Sequence, residues 1–282
     1  MVLPCRSRSA CGDKNPSRLA AALTCPFTKL ARISHYMSFL PLILIMTFEE
    51  RYQSIQQKIA AACAKVHRDT QSVTLVAVSK THPPESVDEA MRLGILDFGE
   101  SKIQEAKAKA PLCSSKIRWH GIGHLQTNKA RDAVRLFHMI HSVDSLRLAE
   151  ILNEQAGTQS KKLPILLETN VSGEGSKFGL KPEQLDDTAL AINQLKNLEL
   201  QGLMTMAPYS ENSEDSRPFF RKLAELKLGL EKKIGAPLPH LSMGMSGDFE
   251  AAIEEGATIV RVGTSLFGER KSSAFRGSAP SG

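Results

Sequence analysis

Tryptophan and tyrosine are scarce in this chain, one and three among 282 residues, and aromatics make up only 5%. With 41% hydrophobic residues, that scarcity describes a soluble domain whose core is aliphatic. Cysteine is thin as well: Cys5, Cys11, Cys25, Cys63 and Cys113 are odd in number and scattered. They form no CxxC pair and no Cys/His cluster with metal-ligand spacing, so no metal is expected, and a reducing, cytoplasmic setting is. Long apolar runs are missing too. Phe39-Leu40-Pro41-Leu42-Ile43-Leu44-Ile45-Met46 is far short of the roughly 20 residues that span a bilayer. The net charge of +6 is concentrated in the leader, where Arg6, Arg8, Lys14, Arg18, Lys29 and Arg32 face the single acid Asp13. The remainder is nearly neutral, and nothing in it argues for nucleic acid or a membrane as partner.

Residues 1–46 are rich in Arg and Ser and poor in acids, as in a transit peptide. The other reading is that translation starts at Met37 or Met46. Either way the folded domain is expected over 47–270, with 271–282 as a Ser/Gly-rich tail, and a monomer is expected.

What is present begins with Val73-Thr74-Leu75-Val76-Ala77-Val78-Ser79-Lys80-Thr81. The β-branched apolar run reads as a buried parallel strand ending in a lone lysine. An ammonium is costly to bury, so Lys80 is either paired, snorkelling, or neutral and nucleophilic toward carbonyls. An amphipathic helix over 48–65 precedes this strand, with Ile55, Ile59, Ala62 and Val66 at helical spacing. Strands are then predicted at 73–79, 95–99, 117–123, 138–143, 164–171, 198–206, 240–246 and 259–267. Helices fall between them at 84–93, 101–109, 126–136, 145–156, 182–196, 214–234 and 248–255. Eight strands alternating with helices predict an α/β fold, a single (β/α)8 barrel. The rival is a doubly wound open sheet, but Gly121-Ile122-Gly123-His124-Leu125-Gln126 lacks the third glycine of a dinucleotide fingerprint.

A barrel gathers its functional residues at the carboxyl ends of its strands, and the loops after strands seven and eight frequently bind phosphate. Here those ends are Met243-Gly244-Met245-Ser246-Gly247-Asp248 and Arg261-Val262-Gly263-Thr264. Ser246 offers a hydroxyl beside backbone N–H groups; Gly263 offers close approach and Thr264 a second hydroxyl. Ordinary turn chemistry, with Ser246 as a helix cap and Gly263 as a bulge, explains either loop alone but not the pair. A carbonyl-seeking lysine and a phosphate cradle on one rim imply a ligand with an aldehyde and a phosphate. Pyridoxal 5′-phosphate meets that description, as do some sugar phosphates. Arg261, on the side of the strand that carries Gly263, is placed to face a heterocyclic nitrogen. The alternative is a structural pair with an acid such as Glu168.

Seven segments resemble one family: Ala77-Val78-Ser79-Lys80-Thr81, Phe98-Gly99-Glu100, Trp119-His120-Gly121-Ile122-Gly123-His124-Leu125-Gln126-Thr127-Asn128-Lys129, Ser176-Lys177-Phe178-Gly179, Gly202-Leu203-Met204, Leu241-Ser242-Met243-Gly244-Met245-Ser246-Gly247-Asp248 and Val260-Arg261-Val262-Gly263-Thr264. They run in family order across about 48–270. The family is that of the pyridoxal phosphate homeostasis proteins, also called YggS-like or proline synthase co-transcribed. The resemblance implies a barrel like the N-terminal domain of alanine racemase, with the cofactor held as a lysine aldimine. By the same resemblance Lys80 is the Schiff-base lysine, Ser246, Gly263 and Thr264 bind phosphate, and Arg261 partners the ring nitrogen. One departure stands out: the family continues Phe-Gly-Glu with Asn-Tyr, where this chain has Ser101-Lys102. Ser101 either replaces part of that hydrogen bonding or caps the next helix.

Racemases and decarboxylases of this fold add a C-terminal β domain with a tyrosine base, whereas this chain ends soon after strand eight. The expectation is therefore a protein that holds and buffers pyridoxal 5′-phosphate, or delivers it to apoenzymes, without strong turnover. The alternatives are an amino-acid racemase or lyase, with Tyr209 or His124 as second base, and a cofactor-free aldolase. Lys177 is a second candidate amine. His120 and His124, four apart but flanking a strand end, suit hydrogen bonding better than zinc. Gln126-Thr127-Asn128-Lys129 is read as a helix start.

Overall fold

Thr47 opens the first helix, α1 (Phe48–Lys65), with a reciprocal cap. Glu50 N donates to Thr47 Oγ1 at 3.2 Å and Thr47 N donates to Glu50 Oε2 at 2.7 Å. The computed structural model describes residues 46–268 apart from Ser176 and Lys177. The leader up to residue 45, the tail and the Lys177 candidate therefore lie outside the described residues.

Eight parallel strands follow α1 in chain order: β1 (Thr74–Val78), β2 (Asp97–Glu100), β3 (Arg118–Gly121), β4 (Met139–Val143), β5 (Leu163–Glu168), β6 (Leu198–Met204), β7 (His240–Ser242) and β8 (Ile259–Val262). Each pairs with the next, and β8 returns to β1, with Thr74 opposite Ile259 and Ala77 opposite Val262. The result is the expected closed barrel. Between the strands run α2 (Pro84–Arg92), α3 (Ile103–Lys109), α4 (Ala130–Leu136), α5 (Leu146–Thr158), α6 (Pro182–Ile192), α7 (Arg217–Ile234) and α8 (Phe249–Glu254), and α9 (Thr264–Phe267) closes the described chain. Pro84 and Pro182 stand at helix starts, where a missing N–H costs nothing, and Ser145 Oγ caps α5 through Leu148 N.

Strand parity separates two cores. Ala77, Phe98, Trp119, Leu167, Leu203, Leu241, Val260 and Val262 face outward and join the large cluster packed under the helices. Their alternates Val76, Met139, Leu166, Met204 and Ile259 form a second, smaller cluster inside the barrel. By the same alternation Asp97, His120, His141, Glu168, Ser242 and Arg261 point inward, and all six are buried. The barrel interior therefore mixes apolar and polar side chains, with Val76 opposite Arg261, Met139 opposite His120 and Met204 opposite Glu168 on neighbouring strands.

Several strand ends fall short of the sequence expectation. The seventh stops at Ser242 rather than 246, because Gly244 turns left-handed (φ +89°). The eighth stops at Val262 rather than 267, and Thr264–Phe267 forms a helical turn instead. The fifth ends at Glu168, beyond which Thr169 makes a single bridge to Leu180. The stretch at 126–136 is split, with a tight turn at Thr127–Lys129 before α4.

Candidate functional site

Immediately after β1 the chain turns back, His82 N donating to Ser79 O at 3.0 Å. Thr81, in that turn, adopts φ +67°, a left-handed conformation that a β-branched residue rarely takes. Ser79 beneath it is fully buried and doubly tied: its Oγ donates to Glu100 Oε1 at 2.7 Å, and its carbonyl accepts from Lys109 Nζ at 2.8 Å. This anchored turn presents Lys80, half-buried, to a cavity of about 290 Å³ at the carboxyl end of the barrel.

The wrap-around pairing of β1 with β8, and of β8 with β7, brings the last two loops to the same cavity. Lys80, Ser246, Arg261, Gly263 and Thr264 all line it, together with Val78 and Met206. Ser246 Oγ accepts from Gly263 N and from Ser265 N, both at 3.3 Å. Two backbone donors are thus aimed at one point, in a first helical turn whose N–H groups have no partner within the helix. A phosphate oxygen suits that donor set. Ser246 does not cap α8, whose cap position belongs to Asp248; Asp248 Oδ1 accepts from Met245 N at 2.6 Å and shapes the loop. Gly263 is the residue ahead of α9 rather than a bulge, and a Cβ there would stand 3.3 Å from Val78 O, tight against β1.

Arg261 is 4% exposed. Its Nη1 donates to Ser242 Oγ at 2.6 Å and its Nη2 to Thr205 O at 2.9 Å. Burial pulls its pKa down to about 10, against the supporting charges of Glu168 and Asp248, so the guanidinium stays charged at neutral pH. Glu168 acts on it through space and not as a hydrogen-bond partner. Burial, together with the neighbouring carboxylate of Asp144, raises the Glu168 carboxyl to about 7.

Other candidates sit elsewhere. His124 lines a neighbouring cavity of about 300 Å³ with Lys102 and Lys129. Its Nδ1 lies 3.0 Å from Asp144 Oδ2 and its ring stacks on Phe178 at 3.9 Å. Tyr209 reaches the Lys80 cavity but is 92% exposed. Ser101 lines both cavities and caps nothing, since the cap position of α3 is Lys102. Gln126 makes no side-chain cap. Among the described residues no three His, Cys, Asp or Glu side chains gather as metal ligands, and no helix is long and apolar enough to cross a membrane. Sequence reasoning missed Ser242, Thr205 and His141. That Ser242 and His141 face inward depends on a strand register that only the structure supplies.

A parallel eight-stranded barrel with a lysine after β1 and its last two loops lining the same cavity is the class of the alanine racemase N-terminal domain, whose family profile matches residues 52–271. The pyridoxal phosphate homeostasis protein of Aquifex aeolicus is 44% identical over 223 residues, covering 79% of this chain and 98% of its own. The protein of that name from Pseudomonas aeruginosa is 44% identical over 225 residues, covering 79% and 96%. The solved structure of PipY from Synechococcus elongatus with PLP bound superposes at a TM-score of 0.68, with 36% identity over 76% of this chain and all (100%) of PipY. The chain belongs to the family of pyridoxal phosphate homeostasis proteins.

Proposed function

We propose that this protein binds pyridoxal 5′-phosphate in the Lys80 cavity, holds it through that lysine, and buffers or delivers it without strong turnover of its own. Bound there, the cofactor supplies an aldehyde, a pyridine nitrogen and a phosphate. The residues divide along those three features. Lys80 Nζ is the amine for the aldehyde end, as the only lysine lining the cavity among the described residues. Ser246, Gly263 and Thr264 take the phosphate through hydroxyls and backbone N–H groups. Arg261, charged and anchored from below, faces the ring nitrogen, and a cationic donor there opposes ring protonation.

The observation that carries this reading is the convergence of all five residues on one cavity. A carrier role without turnover is supported by the acid/base candidates: Tyr209 projects into solvent, and His124 serves the neighbouring cavity. Neither combines positioning with exclusion of water, which amino-acid chemistry on this cofactor needs. The relatives named for pyridoxal phosphate homeostasis support the same role. The recipients are apoenzymes that use this cofactor, and the setting is a reducing cytoplasm in which Cys63 and Cys113 stay free thiols. Incubation with single-enantiomer amino acids tests the role: a spectral shift without sustained racemisation is expected, and sustained turnover would move the assignment to a racemase.

A further inference from the structure

Beneath the cavity a continuous chain of side-chain hydrogen bonds crosses the barrel interior. Arg261 Nη1 donates to Ser242 Oγ, and His141 Nδ1 lies 2.9 Å from that same oxygen. His141 Nε2 is 2.9 Å from His120 Nδ1, and His120 Nε2 is 3.0 Å from Asp97 Oδ1. At the far end, Arg118 Nε donates to Asp97 Oδ1 at 2.6 Å. Four strands contribute one inward residue each between the two arginines: β7, β4, β3 and β2.

The end groups dictate where each proton sits. A guanidinium only donates and an ionised carboxylate only accepts. Burial works against ionisation of Asp97, but hydrogen bonds from Arg118 and His120 outweigh it and hold the carboxyl down at about 2. With one ring proton on each histidine, Asp97 draws that of His120 to Nε2 and leaves Nδ1 to accept from His141 Nε2, so Ser242, whose oxygen accepts from Arg261, gives its single O–H to His141 Nδ1. That nitrogen is therefore bare, and the neutral His141 ring, which complete burial favours, carries its proton on Nε2. His141 then donates to His120 Nδ1, and His120 donates from Nε2 to Asp97. Every bond runs the same way, from the guanidinium toward the carboxylate. Aligned donors polarise one another, and each leaves its electron-rich side facing Arg261.

We propose that Ser242, His141, His120 and Asp97 are positioning residues for Arg261, fixing its guanidinium against the ring nitrogen of the bound cofactor. The proposal rests on the pyridoxal phosphate reading given above. Only two of the five donors of Arg261 are used by Ser242 and Thr205, which leaves others for the cavity it lines. Ser242 is a useful anchor only while its own proton points away from Arg261, and the two histidines and Asp97 enforce that direction.

The wild-type protein, labelled with ¹⁵N-histidine, gives the first test and needs no substitution. His120 and His141 are both expected as Nε2–H tautomers with an accepting Nδ1; a proton on His141 Nδ1 would overturn the proposal. The second test uses Ser242→Ala, which removes one oxygen. It is expected to shift the absorbance of bound pyridoxal phosphate and weaken binding about tenfold, the scale of one hydrogen bond to a buried charge. Borohydride trapping at Lys80 is expected to persist. Arg261→Gln separates the two levels of inference. If it changes spectrum and affinity while Ser242→Ala changes neither, the positioning chain is wrong and the cofactor reading stands. If neither substitution changes them, Arg261 does not face the ring and both fall.

Discussion

Ser246, on the loop after β7, accepts the backbone N–H of Gly263 at the end of β8, 3.3 Å away. The two loops are thus cross-linked at the point proposed for the phosphate, and Ser265 N converges on the same hydroxyl. Combining Ser246→Ala with Thr264→Ala removes two hydroxyls while leaving the backbone donors. Hydrogen bonds to a charged group contribute about 1.5–3 kcal/mol each, so pyridoxal 5′-phosphate is expected to bind at least tenfold more weakly. Pyridoxal, which lacks the phosphate, should lose little. Absorbance titrations of both ligands decide it; equal weakening would place the cradle elsewhere.

Lys80 stands on a turn held by a strained Thr81 and a buried Ser79. The purified protein loaded with pyridoxal phosphate is expected to be yellow and, after borohydride reduction, to carry a stable adduct on Lys80. Lys80→Ala should lose both. Peptide mapping by mass spectrometry reads the result directly, and an undiminished adduct in Lys80→Ala would assign the amine to another lysine.

Support for that turn comes from Lys109, 5% exposed, whose Nζ lies 2.6 Å from Glu100 Oε1 and 2.8 Å from Ser79 O. Removing one partner of a buried pair leaves the other charge uncompensated, at a cost of about 3–5 kcal/mol. Lys109→Met is expected to destabilise by that order in urea unfolding. Lys109→Met with Glu100→Leu should recover most of the loss, because the stranded carboxylate is gone. A single substitution with no effect would show that the pair contributes nothing net.

The barrel was legible because its alternation of strand and helix never breaks, and because the interval from Phe48 to Lys65 carries a cap signal and helical spacing together. Lys80, Ser246, Arg261, Gly263 and Thr264 were legible as strand ends, since a closed parallel barrel must bring its first and last strands together. Strand eight was overextended because Val262-Gly263-Thr264-Ser265-Leu266-Phe267 has the composition of a strand, whereas Gly263 turns it into a helix. The interior chain was hidden for a different reason. Parallel barrel strands are buried on both faces, so hydropathy does not say which residues look inward. A hydrogen-bonded His120 was legible from its place at a strand end, but without that parity its partners, His141 on the next strand and Asp97, were not.

Glu168 gives a pH-dependent expectation whose sign follows from linkage. An ordinary glutamate titrates near 4.5, whereas burial and the charge of Asp144, partly offset by Arg261, place the folded-state value at about 7. The folded state therefore holds this proton more tightly than the unfolded chain. Stability is fully present below the unfolded pKa, falls as pH rises through the interval between the two values, and stays reduced above the upper one. The shift corresponds to about 3 kcal/mol at most, and the group is 3% exposed, so little of it is screened away. Glu168→Gln keeps the shape and removes the ionisation. Wild type and variant should be close in stability at pH 4, with the variant increasingly the more stable toward pH 8. Urea melts at four pH values read this difference directly, since every other titrating group is common to both proteins. A gap that stays constant across the series would mean that folding leaves the pKa of Glu168 unshifted, and that burial beside Asp144 is offset in full by Arg261.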